Sequence, residues 1–300
     1  MKGGAPSRLS RFRRHRLAAA SAVFALLLAA ACLAAPLLGT LLGADAETVD
    51  LATRFAGPSA AHLLGTDELG RDVLLRLLYG GRVSLFVGVT TALTAAALGT
   101  VIGLLAGYYG GVADRVLMRL TDGVIALPLL PLLIVLAAAD PAKLGLPAAV
   151  LRSPLLDLFR IVAIVALVGW TTVARLVRGA TLSLREREFV LAARALGASG
   201  LRIMTVHLLP NLLAPVVVAT ALSTGAVILA ESVLSFLGLG IQPPIPSWGN
   251  LLTNAQQTLW EAPALAVYPG LLIFATVAAC NLIADALQAA LNPSPGERRG

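Results

Sequence analysis

"VSLFVGVTTALTAAALGTVIGLLAG", residues 83–107, runs for 25 residues without a charged side chain. A helix rises about 1.5 Å per residue and the hydrocarbon layer is about 30 Å thick, so a run of this length reaches across it. A membrane barrel would instead alternate polar and apolar residues over strands of about ten positions. The rest of the chain agrees: 58% of it is hydrophobic, 13% is charged, and its mean hydropathy is +0.85. A soluble domain carries about 25% charge and could not cover its surface with so little. The sequence therefore describes an all-α membrane protein, a polytopic bundle.

Working outward, further spans are expected at 17–42, about 117–139, about 159–177, 212–238 and 265–287, making six in all. The fourth is free of charge only over 161–174, between Arg160 and Arg175, whose long side chains can reach the interfaces. With both termini placed in the cytoplasm, the inner segments hold 16 basic residues and the outer segments 7, the bias that orients membrane proteins. The expected division is then a basic cytoplasmic N-terminus (1–16), a first span (17–42), an outer loop (43–82), a core of five spans (83–290) and a cytoplasmic tail (291–300). The net charge of +7 could suggest nucleic acid. The charges sit between apolar spans, however, so the partner they imply is the lipid surface and no nucleic-acid partner is expected. "RFRRHR" (11–16) ahead of "LAAAC" (28–32) resembles a lipoprotein signal, but the apolar run continues past Cys32 to Leu42 and is read as a retained span.

Chemistry-bearing patterns are sparse. Zinc-protease, phosphate-loop and serine-elbow motifs are missing, and His15, His62 and His207 are scattered. Cys32 and Cys280 lie in apolar runs with neither disulfide nor metal spacing, so no metal or cofactor is expected on this chain. Ala95, Gly99, Gly103 and Gly107, four apart, mark a face where another helix packs closely. In "LLGTDELGRDVLLRLLYGGR" (63–82), Thr66 or Asp67 is expected to cap an interfacial amphipathic helix with Leu69, Val73, Leu74, Leu77 and Leu78 on one face. Asp67, Glu68 and Asp72 are read as its solvated acidic side, since their spacing fits no metal loop. Glu231, near the outer end of the fifth span, is the candidate pathway or gating residue, because an intramembrane acid needs a reason to be there. Asp285 lies toward the opposite end of the sixth span, too far to make a catalytic pair with it.

One stretch between spans is basic: "EREFVLAARALGASGLRIMTVHLLPNLLAP", residues 186–215. Phe189, Ala192, Ala193 and Leu196 share a helical face, Gly197 can take the positive φ that ends a helix, and Ser199 can cap a second helix carrying Leu201, Met204, Leu208 and Leu209. Pro210 stands just ahead of the fifth span. This helix–turn–helix is too polar to span and too apolar for a free loop. It reads either as a helix lying on lipid or as one that docks in a groove of a soluble partner.

This stretch resembles the cytoplasmic loop of ABC importer permeases, "EAA, three residues, G, nine residues, I-x-L-P". Ala192, Ala193, Gly197, Leu209 and Pro210 match its spacing. Leu191 stands where the family has Glu, His207 where it often has Ile, and Glu188 is the carboxylate one turn earlier. Residues 62–85, 107–122, 169–179, 231–252 and 281–293 are similar to the C-type permease subunit of the dipeptide/oligopeptide/nickel importers, while 140–160 is longer and more polar than that family's connection. The resemblance implies a transport subunit of the bacterial inner membrane, not an enzyme. It implies a second homologous permease subunit forming the other half of the pathway, two ATP-binding subunits that use ATP and Mg, and an extracytoplasmic substrate-binding protein that delivers a peptide or related small solute. It also implies coupling to the ATPase through about 186–210, at Glu188, Leu191, Ala192, Ala193, Gly197, Leu209 and Pro210. The alternative class is an autonomous secondary transporter, which would show inverted repeats and broken helices.

Overall fold

The computed structural model describes residues 16–144, 147, 153, 155–253 and 258–291. Most of the basic N-terminus, the C-terminal tail and much of 145–154 lie outside the described residues. The regular elements among those described are all helices, with no strand. Five helices are long and apolar enough to cross a membrane, and a bent pair supplies a sixth crossing if taken as one.

The first expected span is divided. α1 (Arg16–Leu33) ends at Ala34, and α2 (Ala35–Leu42) starts afresh with Pro36 in its first turn, where the missing N–H costs nothing. Residues 43–72 form a compact loop. The amphipathic helix expected to begin at Thr66 or Asp67 begins at Val73 instead, with Asp72 Oδ1 accepting from the Leu75 amide at 2.9 Å. It does not end before the second span but is its first turns: α3 (Val73–Tyr109) is one rod of 37 residues. At about 1.5 Å per residue it outruns the hydrocarbon layer, so one end stands clear of it.

The third expected span is also broken. α4 (Gly111–Ala126) and α5 (Leu129–Ala138) meet at 88°. Leu127 is extended (φ −81°, ψ 137°) ahead of Pro128, the conformation a following proline imposes. α6 (Leu156–Leu184) is longer than the fourth span read from hydropathy, starting at Leu156. α7 (Glu188–Ala195) is short, and α8 (Gly200–Phe236) carries the fifth span. α9 (Ala264–Leu291) carries the sixth, with Pro269 in its second turn.

The small-residue face packs α3 on α6. A Cβ built on Gly99 would fall 2.5 Å from the Trp170 carbonyl oxygen, on Gly103 2.4 Å from that of Ala174, and on Gly107 2.6 Å from Thr181 Cβ. Only a missing side chain lets the backbones approach so closely. α8 lies across α3 and beside α9; Gly88 meets Ile228, and Gly225 meets Cys280. The core falls into layers. One, around Val173, Val177, Val190, Ile203, Leu208 and Leu212, sits at the α7 end; others, around Val87, Ile161, Leu234 and Ile241 and around Cys32, Leu77, Ile228 and Trp248, sit toward the opposite end. Leu26, Leu37, Leu271 and Phe274 point outward, as lipid or a partner subunit requires.

Candidate coupling site and the opposite-end network

The turn between α7 and α8 is built as its residues suggest. Gly197 has φ +79°, its N–H reaches the Arg194 carbonyl, and the Ala198 N–H reaches that of Ala193, both at 3.0 Å. That pair of bonds is a Schellman closure, which satisfies carbonyls at the end of α7. Ser199 Oγ then accepts from the Arg202 amide and starts α8. The second helix is not a separate unit, however. It passes through a π-helical turn, Ile203–Leu208, in which the Leu209 N–H bonds to the Met204 carbonyl, and continues into the span. The wider turn falls where the Pro210 ring would press on a carbonyl one turn back. The His207 carbonyl takes its hydrogen bond from Asn211 Nδ2 at 2.7 Å.

The inward residue of α7 is Val190, fully buried against Ile203, Met204 and Leu208. It was not among the candidates. Of the four residues expected to share a face, Ala193 is half-buried while Phe189, Ala192 and Leu196 are exposed, Leu196 at 88%. Glu188, Leu191 and Gly197 are exposed too. Leu209 is half-buried and Pro210 exposed where the π turn passes into the span. The basic residues hold this end together. Arg185 Nη1 donates to the Gly107 carbonyl at 2.8 Å, and the Arg194 guanidinium lies 5.9 Å from the Tyr108 ring centroid. Arg178 forks onto both carboxylate oxygens of Asp114, and Arg175 meets Asp122 at 2.5 Å, tying α6 to α4. These pairs went unread in the sequence; the signal was two acids eight apart on one amphipathic helix facing two arginines three apart on another.

Glu231 sits on α8 far from this turn and is 0% exposed. Ser84 Oγ, from α3, donates to its Oε2 at 3.1 Å, and Ser235 Oγ donates to its Oε1 at 2.7 Å. The same two hydroxyls accept the backbone amides of Trp248 (3.1 Å) and Ile241 (3.0 Å). Trp248 Nε1 also donates to the Leu77 carbonyl at 2.9 Å. The carboxylate is therefore the hub that fastens the 237–250 loop to α3 and α8. It faces serines rather than open space, so what the structure shows of Glu231 is a fastening role.

The acidic loop is likewise not a solvated face. Asp67 and Asp72 are buried. Asp67 Oδ1 accepts the Leu69 and Arg71 amides, and its Oδ2 pairs with Arg71 at 2.8 Å and Arg76 at 3.3 Å. Asp72, besides capping α3, pairs with His62 Nδ1 at 3.0 Å. Among the described residues no three His, Cys, Asp or Glu side chains converge as a metal site would require.

The described residues thus form a polytopic helical bundle with a short, internally braced turn at one end, the class of all-α membrane proteins. Residues 99–296 match the family described as the binding-protein-dependent transport system inner membrane component. The chain is 41% identical over 284 residues to the glutathione transport system permease protein GsiD of Pectobacterium atrosepticum, covering 94% of this chain and 89% of that one. It is 42% identical over 240 residues to the dipeptide transport system permease protein DppC of Alkalihalophilus pseudofirmus, covering 80% and 74%. With GsiD of Escherichia coli O157:H7 the identity is 40% over 284 residues, covering 94% and 88%. The chain belongs to this family of inner membrane components: it is the permease subunit of an ABC importer, a multi-pass transport subunit that works with a binding protein. The broken third span, a feature of the secondary-transporter alternative, is thus part of an importer permease here.

Proposed function

We propose that this chain forms half of the translocation pathway of an ATP-driven importer for small peptides, dipeptides or a glutathione-like tripeptide, paired with a second homologous permease subunit. Two ATP-binding subunits, which hold and hydrolyse Mg-ATP, dock on 186–210; this chain holds neither cofactor. An extracytoplasmic binding protein delivers the cargo at the opposite end, and the α7 end and both termini face the cytoplasm. The names of the relatives support the cargo class. One observation carries the coupling role: Val190 is the one buried residue of α7, while Phe189 and Leu196, seven apart and so on one helical face, stand exposed, as does Leu201 at the start of α8. An apolar patch braced from behind and left open in front suits a partner's groove.

Leu196→Asp tests this reading. The side chain is almost wholly exposed, so the fold and membrane insertion should survive. ATPase subunits should no longer co-purify, and peptide uptake should fall at least tenfold, since burying an unpaired carboxylate in an apolar groove costs several kcal/mol. Wild-type co-purification and uptake would assign the patch to lipid instead.

A further inference from the structure

Arg82 and Glu47 line one hollow at the end opposite the docking turn. Its volume is about 420 Å³, within the range of roughly 300–1,000 Å³ that small-ligand sites occupy. Leu33, Phe86, Leu158 and Ile245 give it an apolar lining, and the Arg82 guanidinium lies 5.6 Å from the Tyr79 ring centroid at its side. Several other charged side chains at this end are held by partners of their own. Asp67 holds Arg71 and Arg76, Asp72 holds His62, Asp45 holds Thr48, Asp50 holds the Ala52 amide, and Arg160 donates to the Ala139 carbonyl. Among the described residues Arg82 and Glu47, both exposed to solvent at the mouth of the hollow, have no hydrogen bond or ion pair of their own; Arg82 leans on the Tyr79 ring and Glu47 acts on Arg76 only at longer range.

An unneutralised cation and an unneutralised anion over an apolar lining are complementary to a zwitterion with an apolar substituent. We propose that this hollow is a zwitterion site in which Arg82 takes the anionic group and Glu47 the ammonium. A small peptide with free termini has that chemistry, and its side chain meets Phe86 and Leu158. Assigning the ligand as cargo rests on the peptide-import reading above. The headgroup of phosphatidylethanolamine presents the same pair of charges, so the two sources are separated by experiment.

The assembled transporter, in lipid nanodiscs and without its binding protein, is titrated with Ala-Phe, N-acetyl-Ala-Phe and Ala-Phe amide at millimolar concentrations by saturation-transfer NMR. Wild type should bind Ala-Phe about tenfold more tightly than either capped form, because each cap deletes one charge-assisted contact. Arg82→Gln should erase discrimination against the amide alone, and Glu47→Gln discrimination against the N-acetyl form alone. Arg82→Lys, which keeps the charge, should restore part of it, as a packing role would not. Retained phosphatidylethanolamine is measured on the same samples by mass spectrometry. Loss of that lipid in both variants, with peptide discrimination unchanged, assigns the zwitterion as a headgroup. Unchanged lipid together with absent or unchanged discrimination overturns the site. Uptake of Ala-Phe by wild-type cells is scored separately, so a transporter that imports the peptide while both variants behave as wild type leaves the import reading standing and removes only this one.

Discussion

At the scale of single residues, Glu231 and Gly197 make two different local demands on the fold. Glu231→Leu removes the acceptor from two buried hydroxyls, Ser84 and Ser235, and leaving such groups unpaired costs about 1–3 kcal/mol each. The melting temperature of the purified protein should drop clearly. Glu231→Gln keeps one carbonyl acceptor and the shape, so it should lie much closer to wild type. A Gln variant that melts normally but fails to transport would return the residue to a gating role. Gly197 makes a different demand: a Cβ there meets nothing within 4 Å in this chain, so the whole intramolecular cost is its φ of +79°. Asn tolerates that region, whereas a β-branched residue pays about 1–2 kcal/mol or more. Gly197→Asn should keep ATPase co-purification and uptake near wild type, and Gly197→Val should lower both together. Equal behaviour of the two variants would remove the argument from backbone conformation. Gly197 and Ser199 were legible in the sequence because their work is local, within four residues. Val190 was not, because a helix of eight residues has apolar side chains on most of its circumference and only the π turn of α8 decides which points in. Ser84 and Trp248 were invisible for the opposite reason: their partners lie more than a hundred residues away.

At the scale of elements, hydropathy found where the apolar segments are and missed where they break. It reports length, and continuity is a separate property. The breaks at Ala34 and Leu127 lie two residues and one residue ahead of a proline, Pro36 and Pro128, and so were readable in principle. Proline alone would have misled as well, since Pro215 and Pro269 sit inside continuous helices. Gly80 and Gly81 look like a stop for the amphipathic segment, yet α3 runs through them because Ser247, Cys32 and Trp248 occupy the space their side chains would need. The close-packing face of α3 was legible in the sequence, though its partner α6 was not, and the contact gives a paired prediction. Gly103→Ala puts a methyl 2.4 Å from a backbone oxygen that cannot swing aside, and such overpacking costs about 1–3 kcal/mol. Gly123→Ala, on the open side of α4 with nothing within 4 Å, should be neutral or gain about 0.5–1 kcal/mol from helix propensity. Thermal melts of the two variants should move in opposite directions or, at the least, differ by several degrees; equal melts would mean that α3 and α6 are not seamed as described.

At the scale of the whole molecule, the two ends carry different kinds of glue. The α7 end is braced by arginines reaching carboxylates and a carbonyl of α4 and α3. The other end is fastened by serines, a buried carboxylate and a tryptophan. The 16-to-7 distribution of basic residues predicts which end is which. With Cys32 and Cys280 replaced by alanine, a cysteine at Arg187 should resist a membrane-impermeant maleimide in intact cells and react after permeabilisation. A cysteine at Gly57 should react in intact cells. Labelling of the Arg187 position from outside would invert the orientation and with it the assignment of the docking end to the ATPase.

α8 is a single beam of about 55 Å, with the α7–α8 turn at one tip and Glu231 near the other. The loop 237–250 is bolted to the far tip through Ser235, so it rides with the beam rather than flexing against it. A tilt of only about 5° about the middle would swing each tip by about 2 Å, more than a hydrogen bond can stretch. That motion has to be taken up as slip along the face shared with α3, where Ser84 grips both the carboxylate and the Trp248 amide. If the subunit is driven from the turn between α7 and α8, the Ser84 hydroxyl would act as its shear pin, since a push at that turn would reach the opposite end as strain on the bonds Ser84 makes to Glu231 and Trp248.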